Sequence, residues 1–160
     1  MELRAEGLSR EQVEVWGRAI GERARLPLFI ALSGELGAGK SVLARAIARG
    51  SGVTGAMPSP TFNLVYRYEP RADLEVWHLD LYRLDDPDEV WELGWRELGE
   101  GNQIVLVEWP ERAQELLPGT RWDVELRIED DPDRRTLVAR PVGGAAPLPP
   151  LPTAGVASRA

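Results

Sequence analysis

Two periods of apolar residues alternate along this chain of 160 residues. From Ser9 to about Arg25, Val13, Trp16, Ala19 and Ile20 fall on one face at helical spacing. Ser9-Arg10-Glu11-Gln12 supplies an N-cap and a capping box, so an amphipathic helix packed on a sheet is predicted. Leu28-Phe29-Ile30-Ala31-Leu32 reads as a buried strand, and Val42-Leu43-Ala44-Arg45-Ala46-Ile47-Ala48 returns to the helical period. Gly50 to Gly55 breaks the chain, and Met57-Pro58-Ser59-Pro60-Thr61 makes a stiff loop, because each proline forces the residue before it into an extended conformation. Strands over Phe62–Tyr68 and Leu74–Asp80 are joined by so short a connection that an antiparallel hairpin follows. Asp86-Pro87-Asp88-Glu89 starts a helix within Asp85–Leu93. Beyond it come an apolar strand at Gln103–Glu108, a short helix at Pro110–Leu117 and a second hairpin from Asp123–Glu129 and Thr136–Arg140.

The segment between the first strand and the second helix changes the picture from fold to chemistry. Gly34-Glu35-Leu36-Gly37-Ala38-Gly39-Lys40-Ser41 has the Walker A spacing in a strand–loop–helix context. Glycines let the backbone N–H groups curl around phosphates, and the helix opening at Lys40 adds partial positive charge at its N-terminus. Lys40 can reach the outer phosphates, and the Ser41 hydroxyl can ligate Mg²⁺. Of 19 basic residues only Lys40 is a lysine. A compact ammonium on a flexible stem fits inside a closed phosphate loop where a planar guanidinium would crowd it.

Such a loop requires a carboxylate near the metal, at the carboxyl end of a neighbouring strand. Glu108 ends the aliphatic run Ile104-Val105-Leu106-Val107 and fits a Walker B acid; Asp80, closing Leu74–Asp80, is the other candidate. Val76, His78 and Asp80 share one face of their strand, and the sole histidine reads as an orienting or packing residue. Thr61, on the proline-stiffened loop, stands where P-loop proteins place a switch hydroxyl.

Charge and composition then exclude several classes. A net charge of −7 argues against direct nucleic-acid binding, which needs a dense basic face. With no cysteine there is no disulfide or thiolate chemistry. No apolar stretch matches a membrane span, and the N-terminus lacks a signal-peptide core, so the reading is a soluble cytoplasmic protein. From Pro141 the chain turns to proline, glycine and alanine with little charge. The expected division is a P-loop domain over 1–140 and an unpacked tail over 141–160.

The motifs GELGAGKS (34–41), SPTFNLVYRY (59–68), HLDLYRL (78–84), ELGWRE (92–97), VEWPER (107–112) and LLPG (116–119) occur in this order. Together they resemble the TsaE family, also called YjeE, small P-loop ATPases of tRNA threonylcarbamoyladenosine biosynthesis. The resemblance covers the chain from the first helix to about Arg140. It implies an α/β three-layer P-loop fold with a mixed, partly antiparallel sheet, ATP and Mg²⁺ as cofactors, and TsaB and TsaD as partners through which tRNA is reached only indirectly. It gives Mg²⁺ to Ser41 and Glu108, makes Asp80 important for hydrolysis, and carries over Thr61 as a switch residue and Trp109 as a neighbour of the site. The nucleotide falls to residues 34–41 with Val42 and an arginine of the last hairpin, Arg135 or its neighbour Arg134. Ser41 and Val42 stand where many members have threonines. A small-molecule kinase and a nucleotide-dependent assembly switch are the alternative uses of the same loop.

Overall fold

The structure is a computed structural model that describes residues 1–58 and 64–153. Seven strands and two α-helices alternate along it: β1 (Leu3–Leu8), α1 (Arg10–Arg23), β2 (Leu28–Ser33), α2 (Lys40–Gly50), β3 (Val65–Arg71), β4 (Leu74–Asp80), β5 (Gln103–Glu108), β6 (Arg121–Ile128) and β7 (Arg135–Val142). They form one sheet in the order β1-β7-β6-β2-β5-β4-β3. The inner strands β6, β2, β5 and β4 run parallel. Hairpin β3–β4 flanks them on one side, and β6–β7 with β1 closes the other, all antiparallel.

Inner strands buried on both faces need continuous apolar runs rather than alternation, and β2 and β5 supply them. Leu28, Ile30 and Leu32 of β2, with Ile104 and Leu106 of β5, pack against α1 and α2. Phe29, Val105 and Val107 point the other way. There they meet Val90, Trp95 and Ala113 from three short 3₁₀ helices, Pro87–Leu93, Trp95–Glu97 and Pro110–Leu116. The result is the three-layer P-loop architecture expected from the sequence. Among the described residues, no helix is long and apolar enough to cross a membrane.

The helical layer is held unusually close. A Cβ at Gly21 of α1 would lie 2.1 Å from the Ile47 carbonyl oxygen of α2, and one at Gly50 would lie 2.1 Å from the Arg18 carbonyl oxygen. Only hydrogen atoms fit between the two backbones there, so these glycines set the crossing that puts the start of α1 beside the loop preceding α2.

Several boundaries differ from the sequence reading. β1 lacks a sustained period-2 pattern and was not expected; it pairs along β7, with a register irregularity between Ala5 and Leu8. β3 starts at Val65 and ends at Arg71, so the first hairpin turns at Ala72-Asp73. The segments after β4 and β5 are 3₁₀ rather than α. The first carries the anticipated capping box between Asp86 and Glu89, and the second contains a kink at Ala113. The tail is corrected for its described part. β7 runs on to Val142, and Ala145, Leu148 and Leu151 pack on the core. Trp122 Nε1 donates to the Ala146 carbonyl (2.8 Å) and Trp16 Nε1 to the Pro149 carbonyl (2.9 Å). Buried indoles need acceptors, and a proline-rich irregular segment keeps its carbonyls while having few N–H groups of its own to satisfy.

Candidate functional site

The site lies where β2, β5 and β4 end side by side. In register, Leu32 of β2 faces Glu108 of β5, and Glu108 faces Asp80 of β4. The loop 34–39 leaves β2 here. Its glycines adopt positive φ at Gly34 (143°), Gly37 (84°) and Gly39 (107°), and Gly39 leads directly into α2. At Gly34 a side chain would also meet the Leu126 carbonyl oxygen at 2.4 Å, so β6 closes that side of the loop.

Lys40, the first residue of α2, is buried. Its Nζ donates to the Gly34 carbonyl (2.5 Å) and the Glu35 carbonyl (3.0 Å), and it lies 4.1 Å from the centre of the Trp109 ring. Burial pushes the ammonium below the usual lysine range, an effect opposed by the carboxylates of Glu108, Glu111, Asp80 and Glu35. Trp109 covers the ammonium because the chain turns at the end of β5 with φ 57° and ψ 51°, a left-handed conformation that costs a bulky residue about 1–3 kcal/mol. The ring of Tyr82 stands 4.8 Å from that of Trp109 and extends the cover outward.

The next residue carries the hydroxyl. Ser41 Oγ lies 2.9 and 2.8 Å from the two carboxylate oxygens of Glu108, to which it donates. Glu108 is 2% exposed, and its Oε2 is also 2.6 Å from His78 Nε2. Asp80 accepts from the Tyr82 backbone N–H (2.9 Å). Burial raises its carboxyl above the usual range; the Tyr82 N–H opposes this, the Glu108 charge adds to it, and His78 and Lys40 oppose it. Two neighbouring carboxylates thus have different surroundings: Glu108 is tied by two side-chain donors, and Asp80 accepts a backbone N–H.

A cleft of about 470 Å³ opens over these groups, lined by Gly37, Lys40, Ser41, Asp80, Glu108 and Trp109 among others. A second cleft, about 530 Å³, lies across the loop between Ser9, Arg10 and Val13 at the start of α1 and Pro132 to Arg135 before β7. Gly37, Gly39 and Val42 border both. Arg135 braces the loop from this side: its Nε donates to the Ala38 carbonyl (2.8 Å) and its Nη2 to the Gly37 carbonyl (3.2 Å). Arg134 lines the same cleft.

The residues present suit a magnesium ion shared with a nucleotide. Mg²⁺ keeps waters and phosphate oxygens and takes only one or two protein ligands, so the touching pair of Ser41 hydroxyl and Glu108 carboxylate is a fitting donor set. Among the described residues there is no group of three or more His, Asp or Glu that would build an all-protein cage.

The structure therefore gathers Lys40, Ser41, Glu108, Asp80 and Trp109 at one cleft, and it puts Val42 on the border of both clefts and Arg135 in the second. Thr61 lies outside the described residues. Sequence reading missed Tyr82, whose place in HLDLYRL two residues after Asp80 was the available signal. It also missed the start of α1 as a wall of the second cleft, for which the sequence carries no local sign.

Comparison with known proteins gives a consistent result. The family model described as "Threonylcarbamoyl adenosine biosynthesis protein TsaE" matches residues 8–137. A "tRNA threonylcarbamoyladenosine biosynthesis protein TsaE" of Haemophilus influenzae is 37% identical over 113 residues, 71% of this chain and 71% of that protein. Its counterpart in Treponema pallidum is 31% identical over 137 residues, 86% of this chain and 100% of that one. The crystal structure of Bacillus subtilis YdiB superposes with a TM-score of 0.70 at 24% identity, covering 89% of this chain and 87% of YdiB, which speaks to the fold alone.

Proposed function

This chain belongs to the TsaE family, and from that premise we propose that it is a Mg²⁺-dependent ATPase serving threonylcarbamoyladenosine formation on tRNA. Its relatives carry that biosynthesis in their names. The observation that carries the enzymatic part is the contact of Ser41 with Glu108 next to the buried Lys40, at the start of a helix that follows a glycine loop. A hydroxyl and a carboxylate in contact can fill two of the six positions of an octahedral Mg²⁺ shell, and a lysine beside them supplies charge for phosphate oxygens.

In this reading ATP lies across the loop, with its phosphates in the cleft of Lys40 and Asp80 and its nucleoside in the cleft of Arg134, Arg135 and the start of α1. Loop N–H groups and Lys40 stabilise the charge that develops on the transferred phosphoryl group. Bound Mg²⁺, held by Ser41 and Glu108, would neutralise phosphate charge. Asp80, whose carboxyl burial raises above its usual range, orients the attacking water and accepts its proton. Trp109 and Tyr82 keep bulk water from the ammonium. The TsaB and TsaD proteins are the proposed partners. They would hold the tRNA, in keeping with a chain of net charge −7.

Reconstitution tests this. Purified TsaB and TsaD, tRNA, ATP and threonylcarbamoyl donor are followed over several turnovers with wild-type chain, with Lys40→Ala and with no addition. Modification should continue past one turnover only with the wild type. Undiminished multi-turnover modification without the chain refutes the proposal.

A further inference from the structure

His78, buried against Glu108, has no assigned purpose in the scheme above. Each side chain is 3% exposed, and His78 Nε2 stands 2.6 Å from Glu108 Oε2. An ionised carboxylate only accepts, so the ring nitrogen facing it carries the hydrogen. His78 belongs to β4 and points to the same face as Asp80, two residues on. The pairing of β4 with β5 sets it opposite Leu106, one pleat before Glu108. Ser41 reaches the same carboxylate from α2. Glu108 is therefore gripped between a helix hydroxyl and a ring from the neighbouring strand.

A glutamate side chain has three rotatable bonds, and one contact would leave its carboxylate free to swing away from the metal position. Two donors hold it, Ser41 at both oxygens and His78 at Oε2. Burial makes the grip worth more, since a loose carboxylate here would be a desolvated, unpaired charge. We propose that His78 is the positioning residue that presents Glu108 to the metal ion of a bound nucleotide. It sets the affinity for that metal and leaves the affinity for the nucleotide itself unchanged. The inference rests on the Mg²⁺–nucleotide reading of the site, and it separates His78 from a residue that merely fills space in the core.

The test uses the full chain with ADP and Mn²⁺ as the metal probe, free Mn²⁺ being read by electron paramagnetic resonance. His78→Leu fills the volume without a donor, and His78→Gln places an amide N–H near the position of Nε2. The leucine variant should lose ten- to hundredfold in Mn²⁺ affinity of the ADP complex, the usual cost of removing the partner of a metal ligand. Its ADP affinity in EDTA should stay within about twofold, a bound much tighter than that metal effect. His78→Gln should recover most of the loss. If the leucine variant fails to fold, His78→Asn, whose shorter amide falls short of Glu108, takes its place. Mn²⁺ affinity unchanged in the donor-less variant overturns the inference, as does an equal loss of ADP affinity in EDTA, which would mark a general structural role. A wild-type chain that binds ADP but no Mn²⁺ overturns the metal reading of the whole site.

Discussion

Asp80→Asn removes a single charge from the site at nearly constant shape, and it should make the protein both more stable and less active. Asp80 is buried, and Asn can still accept the Tyr82 N–H through its Oδ1. Its register neighbour Glu108 is on the next parallel strand. Strands lie about 5 Å apart, and two like charges at that separation repel by about 3 kcal/mol at an effective dielectric of 20. Burial of the carboxylate adds to this, and the Tyr82 N–H, His78 and Lys40 offset part of it, which leaves a net gain of about 1–2 kcal/mol on removing the charge. For a chain of this size that is about 2–8 °C in Tm. The folded state raises the Asp80 carboxyl above its ordinary value of 3.8. Well below that value the group is protonated in both folded and unfolded chains and contributes nothing. As pH rises from there through the raised value the unfolded chain ionises first, so wild type loses stability relative to Asp80→Asn, and above the raised value the full difference persists. Urea unfolding of both proteins in EDTA, from acid pH to pH 8, reads this directly. Phosphate release at pH 7 should fall about a hundredfold or more, the usual worth of a positioned base. A variant that is less stable than wild type at neutral pH, or a stability difference that is flat across the range, would refute the electrostatic account of Asp80.

Two further outcomes follow from the walls of the site. Arg135→Ala frees the Gly37 and Ala38 carbonyls and should weaken nucleotide binding about tenfold, equivalent to about 1.4 kcal/mol. A fluorescent nucleotide titration checks this, and affinity equal to wild type would mean the arginine does not order the loop. Gly21→Ala drives a methyl group toward the Ile47 carbonyl and should cost at least about 2 kcal/mol in urea unfolding despite the better helix propensity of alanine; a neutral or stabilising result would show that the two helices can part cheaply.

The legible parts of the fold were those in which local chemistry and tertiary packing agree. The capping box at Ser9 and Gln12 appears as read, and β4 and β5 occupy the residues that their apolar runs mark out. Both strands are covered on two sides; a continuous aliphatic run marks β5, whereas β4 carries Glu75, His78 and Asp80 among its apolar residues. β1 was not legible, because LRAEGL gains its structure from the β7 edge beside it rather than from its own pattern. The tail misled for a related reason. Low charge and five prolines suggest no core of their own, yet two buried indoles on α1 and β6 find their acceptors in this distant, proline-rich segment. A reading that counts composition segment by segment has no access to a hydrogen bond between Trp16 and Pro149.

The same distinction holds within the site, where residue types were readable and their mutual placement was not. Walker spacing points to Lys40 and Ser41, and a carboxylate after an apolar run points to Glu108. Nothing local says that Glu108 and Asp80 stand opposite one another, since that depends on β4 and β5 being parallel neighbours in one particular register. A slip of one residue would turn His78 and Asp80 to the 3₁₀ side of the sheet, away from Ser41. The register is held by burial on both faces. Val76 must reach the helical core, and Trp77 and Leu79 must reach the opposite one, at about 1.5–3 kcal/mol for each large apolar side chain. The apolar residues of β4 thus aim His78 and Asp80, and the order β2-β5-β4 brings the ends of three parallel strands to a single line of Leu32, Glu108 and Asp80. Ligands of open α/β sheets bind at such carboxyl ends, and here the packing that stabilises the strands is what sets a hydroxyl, two carboxylates and a histidine around one point.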